Sequence, residues 1–408
     1  MNLLTAAATA AADAMGPESI GSATMLVSNY VFPNDMHVHW SMMIVLYPYI
    51  TGLVDGAFII AALYYLFGVK SLKPVARFSL LFALAFLSCA TLPLLLHLGR
   101  PERNLNMLLT PSPSSAMAGF GYIFAVSMGV LVFIILFVYR PVLVELRKRS
   151  EGWLEVVYRV MTFDSVDLSE SARRLDARII RFLVGIGIPV AVVLHGYVGF
   201  IFGGVKANPT WSTPLMPVIF LFSACVSGIA AIILAYILIR KLSGRSIDHD
   251  CIVTMVKTLT LFFIMAFCFE MLEVFSHSYL KSGYHHMVEG LLNGPLASSF
   301  WLWQVKICSV IPLVLLGVMG LIRLNAFFYN FLAGTVSALL LLQVLIMRWN
   351  VVIGGQLMSK SARGYTMFHP EWFDKEGIVA VIIVMSIPFF ILWGLGRIFP
   401  FWAGEHDT

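Results

Sequence analysis

The stretch CIVTMVKTLTLFFIMAFCFEMLEVFSHSY, residues 251–279, decides the fold class. It stays apolar long enough to cross a bilayer, since about 20 residues at 1.5 Å each span a hydrocarbon core of roughly 30 Å. Its carboxylates are not scattered. Glu270, Glu273 and His277 stand at i, i+3 and i+7 and share one helix face toward the end of the segment. An ionisable group at a helix centre costs roughly 2.5–3.5 kcal/mol on insertion scales, so such groups normally face a bundle interior or a watered cavity.

Eight further stretches resemble it in length, giving spans at 41–67, 76–98, 116–139, 179–203, 215–240, 251–279, 297–321, 324–347 and 377–398. Of the 408 residues, 59% are hydrophobic and 12% charged, against about 25% charged in an ordinary soluble protein. The expected fold is an all-α integral membrane protein of about nine to ten transmembrane helices in packed bundles, with the lipid bilayer as its surroundings. No strand-type alternation is sustained, which excludes a barrel. The net charge of +5 is dispersed at membrane flanks and implies no nucleic-acid partner. Cys89, Cys225, Cys251, Cys268 and Cys308 form no CxxC pair. Grouped thiolates for an iron–sulfur cluster are therefore lacking, and buried free thiols are expected. The Ala-, Ser- and Thr-rich start has no basic n-region and reads as a short external tail or surface helix rather than a cleaved leader.

Lys and Arg set the orientation. Lys70, Lys73 and Arg77, the 140–181 segment, Arg240, Lys241 and Arg245, Arg323 and Arg397 fall on alternate connections that are richer in positive charge than the opposite set. By the positive-inside rule they are cytoplasmic, which places the N-terminus outside and the C-terminus inside. The domain reading is an extracytoplasmic tail over 1–40 and a three-helix part over 41–140. A charged cytoplasmic connection follows over 141–178, then a six-helix part over 179–400 and a tail over 401–408. The connection reads as a surface helix pair or a docking surface for a cytoplasmic partner.

With this topology the polar residues fall at one membrane face. His37, His39 and Trp40 sit at the mouth of the first span, and His97 and Arg100 close the second. Tyr122 lies in the third, His195 and Tyr197 in the outer part of the fourth, and Glu270, Glu273 and His277 in the sixth. Gln304 and Lys306 occupy the seventh, and Arg348 ends the eighth. Trp40, Trp301 and Trp303 also suit an interfacial belt. Asp55 departs from the pattern, about 21 Å into the first span. It reads as a structural carboxylate or a proton-relay station, and Gly52 and Gly56 beside it have the small–xxx–small spacing of close helix contacts.

An amphipathic pocket with aromatic walls, imidazoles and carboxylates suits a quinone. The ring and tail need apolar walls, the oxygens need donors and acceptors, and titratable relays must supply two protons per two electrons. Asp55, Glu270, Glu273 and His277 are the candidate relay. Haem needs facing histidine pairs, and only His195 lies clearly within a span, so no haem is expected. A proton-coupled secondary transporter using the same carboxylates would show inverted repeats or broken midplane helices, and neither is clear. A structural anchor for peripheral redox subunits leaves the Glu270/Glu273/His277 face unexplained.

Several motifs are similar to the NrfD / polysulfide-reductase membrane-subunit family, nearest its long, DsrP-like branch. They are HW at 39–40 with LY at 46–47, GLVDGAF at 52–58 and LHLGRPER at 96–103. SSAMAGFG at 114–121, HGYVG at 195–199 and RWNVVIGGQ at 348–356 complete the set. The resemblance implies a menaquinone or ubiquinone site near the extracytoplasmic face of a bacterial or archaeal cytoplasmic membrane. It implies no redox metal in this chain and electron exchange with an extracytoplasmic, ferredoxin-like iron–sulfur subunit. That subunit is joined in turn to further catalytic or cytochrome subunits, in a setting of sulfur-compound metabolism. Carried over by motif, His39 and Tyr197 would contact the head group, with Trp40, Tyr122 and His195 around it. His97 and Arg100 would shape the pocket and the docking surface, with Arg103, Arg348 and Gln356 as further docking candidates.

Overall fold

The computed structural model describes residues 38–112, 114–279, 283–359 and 364–402. His37, Lys281, Lys360, Arg363, most of the 1–40 tail and residues 403–408 lie outside them. Among the described residues, nine helices are long and apolar enough to cross a membrane. They are α1 Met42–Tyr65, α2 Lys70–His97, α3 Ala116–Val138, α4 Glu170–Gly203, α5 Met216–Leu242, α6 His249–Tyr279, α7 Ser298–Leu321, α8 Ala326–Leu357 and α9 Ile378–Ile398. Successive spans alternate in direction. The start of α1, the end of α2 and the end of α8 therefore share one face, called here the His97 end.

The connection between α3 and α4 forms two helices, Arg140–Arg149 and Trp153–Met161. Arg140 ties them to α4 by donating to Asp176 at 2.6 Å and to Ser165 at 2.7 Å. The fourth span is longer than its apolar run suggests, because α4 begins at Glu170, with Ser169 accepting from the Ala172 N–H as N-cap.

The charged connection does not separate two packing units. In α1 94% of the most apolar window is buried, against 17% in α4 and α9. Thus α1 is the hub, packed on α2, α4, α5 and α8, while α4 and α9 present apolar side chains outward. The tightest seam joins α1 to α5. A Cβ added to Gly56 would lie 2.5 Å from the Gly228 Cα and 2.6 Å from the Cys225 carbonyl oxygen. One turn earlier, a Cβ on Gly52 would lie 3.3 Å from Ala224 and from the His195 ring. The Gly52–xxx–Gly56 stripe thus meets an Ala224–xxx–Gly228 stripe, and the backbones approach as small residues alone allow.

Two spans contain π-helical stretches. The first thirteen residues of α7, Ser298–Val310, are π-helical, and α8 carries a π turn at Asn350–Gly354. Such wide turns are rare and cluster at functional sites. In α7 the Ser309 hydroxyl donates to the Gln304 carbonyl at 2.7 Å, and Pro312 removes a donor where the α register resumes. The π turn in α8 carries the span on to Leu357, ten residues past the boundary read at 347. The segment after Arg348 is still apolar enough to remain helical inside the bundle. Arg348 therefore does not end the span but sits within it.

Candidate functional site

Three helices bring Asp55, His195 and Arg348 into one buried line. All three side chains lie in the interior, with His195 and Arg348 at 0% exposure. The Arg348 Nη2 donates to the His195 Nε2 at 3.2 Å, to the Ser223 hydroxyl at 2.9 Å and to the Phe220 carbonyl at 3.2 Å. Its guanidinium lies 3.7 Å from the Phe220 ring centroid, a cation–π contact. A guanidinium can only donate, so the His195 Nε2 must accept and the imidazole proton sits on Nδ1. That nitrogen is 3.2 Å from the Asp55 Oδ2. The contact lacks hydrogen-bond alignment, and among the described residues the Asp55 Oδ2, His195 Nδ1 and Arg348 Nε have no hydrogen-bond partner. Buried polar atoms are rarely left so. Each is a place where a proton, a water or a ligand oxygen can be held.

A second network lies between α6, α7 and α8. Glu270 accepts from the Gln304 Nε2 at 3.2 Å and the Gln343 Nε2 at 3.0 Å. Asn350 donates to the Gln304 Oε1 at 2.8 Å and accepts from the Ser299 hydroxyl at 2.7 Å. The two π segments meet here, at Gln304 and Asn350. Glu273 accepts from the Thr213 hydroxyl at 2.9 Å and stands 3.0 Å from the His277 Nε2. Glu270, Glu273 and His277 all line a cavity of about 110 Å3 that also meets Gln304, Asn350 and Phe300. Such a space holds a few waters, each filling about 30 Å3 in the liquid. Phe300 and the leucines of the Gly283–Asn293 helix give it apolar walls.

At the His97 end the remaining candidates occupy separate stations. His39 is exposed, as are Arg100 and Arg103. Trp40 stacks on Trp211 at 4.8 Å between centroids and meets Phe202 edge-on. Its backbone is clasped by Gln356, which accepts from the Trp40 N–H at 2.9 Å and donates to its carbonyl at 3.2 Å. Tyr197 packs its hydroxyl against Gly119 of α3, where an added Cβ would lie 2.3 Å away. Tyr122 is largely exposed and donates to the Leu108 carbonyl at 2.6 Å. His97 pairs with Glu376 at 2.7 Å, linking the end of α2 to the start of α9.

Burial works to raise the Glu376 pKa. Hydrogen bonds from Ser41 and His97, with the charges of His97 and Lys375, outweigh it and hold the carboxyl below its ordinary value. Because the folded pKa is depressed, this clamp contributes stability above the ordinary carboxylate range and loses it as pH falls through the lowered value. Glu376→Gln is thus expected to remove part of the acid-side loss of stability. The check is the thermal midpoint of wild type and variant below about pH 4, where the two should converge.

Several expectations need correction. Arg348 cannot dock a partner, because it is wholly buried; Gln356 spends its side chain on the Trp40 backbone. Lys306 is exposed on the outer side of α7 rather than in a pocket. Cys268 is exposed, whereas the other four cysteines are buried; an apolar flank did not distinguish a lipid face from a core. Among the described residues no three His, Cys, Asp or Glu side chains gather as metal ligands. Sequence reading also passed over Gln343 and Ser223, polar residues on apolar spans, and Glu376 and Trp211, which stand in polar loops; Asn350 was noted only within a motif. Tyr47, noted only within a motif, is buried against Phe120 with its hydroxyl unpartnered among the described residues.

The profile of the family described as polysulphide reductase, NrfD matches residues 31–360 of the 408. The chain belongs to the NrfD family. Its relatives include a selenate reductase subunit from Mesobacillus selenatarsenatis, 26% identical over 85% of this chain and 83% of that protein. A putative dimethyl sulfoxide reductase membrane subunit from Halobacterium salinarum is 24% identical over 71% of this chain and 64% of its own length. The Hdr-like menaquinol oxidoreductase integral membrane subunit of Archaeoglobus fulgidus is 20% identical over 86% and 83%. The matched region contains every buried ionisable group described above, from Asp55 to Arg348.

Proposed function

We propose that this NrfD-family chain is the quinone- and quinol-reactive membrane subunit of a multi-subunit respiratory oxidoreductase. In this reading it exchanges electrons between the membrane quinone pool and an iron–sulfur partner. The observation that supports it most is the buried line Asp55–His195–Arg348, with Glu270 in the neighbouring network. Ionisable groups so deep in a membrane bundle are costly and are kept for function. A mere anchor has no use for them, and the reductase and menaquinol oxidoreductase names of the relatives favour redox over transport.

In this reading the head group binds at the His97 end, which faces outward, among His39, Trp40, His97, Arg100, Tyr122, Tyr197 and His195. A membrane quinone supplies the two-electron chemistry. The chain supplies apolar and aromatic walls, from Trp40, Trp211 and Phe202, and hydroxyl and imidazole groups to hold the ring oxygens. In this reading protons pass along the buried ionisable side chains. His277, Glu273 and the buried Glu270 line one cavity, and the His195 Nδ1–H adjoins Asp55. Exposed Arg100 and Arg103 present positive charge to a partner on the same face. A ferredoxin-like iron–sulfur subunit fits that role, since this chain has no grouped cysteines. Its own catalytic neighbours would fix the terminal substrate, for which sulfur compounds are the first choice.

Tyr197→Phe and His39→Ala are expected to lower quinol turnover by about tenfold or more, on the scale of one lost acid–base or hydrogen-bonding group, with assembly intact. Unchanged turnover in an assembled variant removes the head-group assignment. Asp55→Asn, which keeps the size and one acceptor, is expected to reduce protons moved per electron in proteoliposomes. An unaltered ratio makes Asp55 structural.

A further inference from the structure

A groove of about 670 Å3 runs between α1, α4, α5 and α6, in the half of the bundle away from His97. Its α1 wall extends from Asp55 to Phe67, beyond the end of that helix, and its α6 wall lies in the first half of that span. Small-molecule sites commonly hold about 300–1,000 Å3, with mostly apolar walls and a few placed polar groups. This groove fits that description. Phe58, Phe67, Phe222 and Phe262 give it aromatic walls, and Asp55 closes one end. Val192 and Leu261 on its rim are 44% and 63% exposed, so it opens sideways to the lipid rather than to water.

The feature that separates it from an ordinary crevice between helices is Asp55. That side chain is 2% exposed, and its Oδ2 has no hydrogen-bond partner among the described residues. The His195 Nδ1 stands 3.2 Å from that oxygen without hydrogen-bond alignment, and a hydrocarbon chain would leave it unsatisfied. A flat ring bearing a hydroxyl or carbonyl would satisfy the carboxyl in one or other protonation state. It would also pack on the phenylalanines, with its tail leaving past Leu261 into the bilayer.

We infer that this groove is a second quinone or quinol site, distinct from the one at the His97 end. The inference rests on the quinone reading above. It places the ring against Asp55, one residue contact away from His195, so that occupancy of one half of the bundle touches the same buried line as the other. Lys257 at the groove mouth, exposed and without an ion pair among the described residues, would suit a phospholipid phosphate instead. That occupant is the alternative the experiment separates.

The test is photolabelling of the assembled, detergent-solubilised complex with an azido-quinone carrying a short isoprenoid tail, read by peptide mapping. Adducts are expected both at the His97 end and on the groove walls, around 188–192 and 258–262. Val192→Trp, which fills the groove from its lipid rim, is expected to cut the groove adducts at least fivefold and leave those at the His97 end unchanged. Leu261→Trp provides the same test should the first variant fail to assemble. Labelling at the His97 end alone, or groove labelling that neither variant reduces, overturns the second site and leaves the proposed function standing. Groove labelling displaced by phosphatidylglycerol but not by unlabelled menaquinone assigns the groove to phospholipid and also overturns it. Labelling at neither place overturns both readings.

Discussion

Replacing Arg348 by methionine is expected to destabilise the protein by about 1–3 kcal/mol, the cost of a buried acceptor left without its donor, and to abolish quinol turnover in whatever complex still assembles. The side chain is wholly buried and serves His195, Ser223, the Phe220 carbonyl and the Phe220 ring at once. Methionine matches its stem but leaves the His195 Nε2 without a donor in an apolar interior, while the Phe220 carbonyl keeps the Ser223 hydroxyl at 2.9 Å. It also frees His195 to change tautomer, which moves the proton off the nitrogen that faces Asp55. Arg348→Lys keeps the charge but loses the fork of donors, so it should recover part of the stability and little of the turnover. Thermal unfolding in detergent and quinol turnover of the complex read the two effects separately. Wild-type turnover in the methionine variant would show that the His195 tautomer is irrelevant to the reaction.

Gly56→Leu or Gly228→Leu is expected to yield little or no folded protein. Even a methyl group at Gly56 would lie 2.5 Å from the Gly228 Cα, a contact between two backbones with no flexible side chain to yield. Overpacking of a tight core costs about 1–3 kcal/mol and more where nothing can give. Here the seam is between the hub helix and its main partner. Opening it also pulls Asp55 away from His195. The alanine variants are the graded version, with reduced yield and a lowered thermal midpoint. Leucine at Gly129, where an added Cβ meets nothing within 4 Å, is the control that should express normally.

Much of this was legible in the sequence because the membrane imposes simple rules. Length and apolarity place nine spans. The i, i+3, i+7 spacing of Glu270, Glu273 and His277 does put all three on one cavity, and Gly52 and Gly56 do mark a close helix contact. What could not be read is depth and partner. Arg348 looks like a span-end residue because positive charge usually marks the membrane surface, yet the π turn at Asn350–Gly354 draws it inside. Asp55 looks isolated because its neighbour is 140 residues away. Only packing of α1 on α5 and α4 brings His195 to it. Glu376 stands in a polar loop and gives no sign that it clamps His97. The gathering of His39, Trp40, His97, Tyr122 and Tyr197 at one end follows from topology, but their separate stations depend on side-chain contacts that spacing does not encode.

The most direct test is mild-detergent purification of the native complex, with identification of co-purifying polypeptides and extraction of bound quinone. An associated iron–sulfur protein and at least one quinone per NrfD-family chain are the expected result. A lone polypeptide that carries no quinone would contradict the quinone-reactive role.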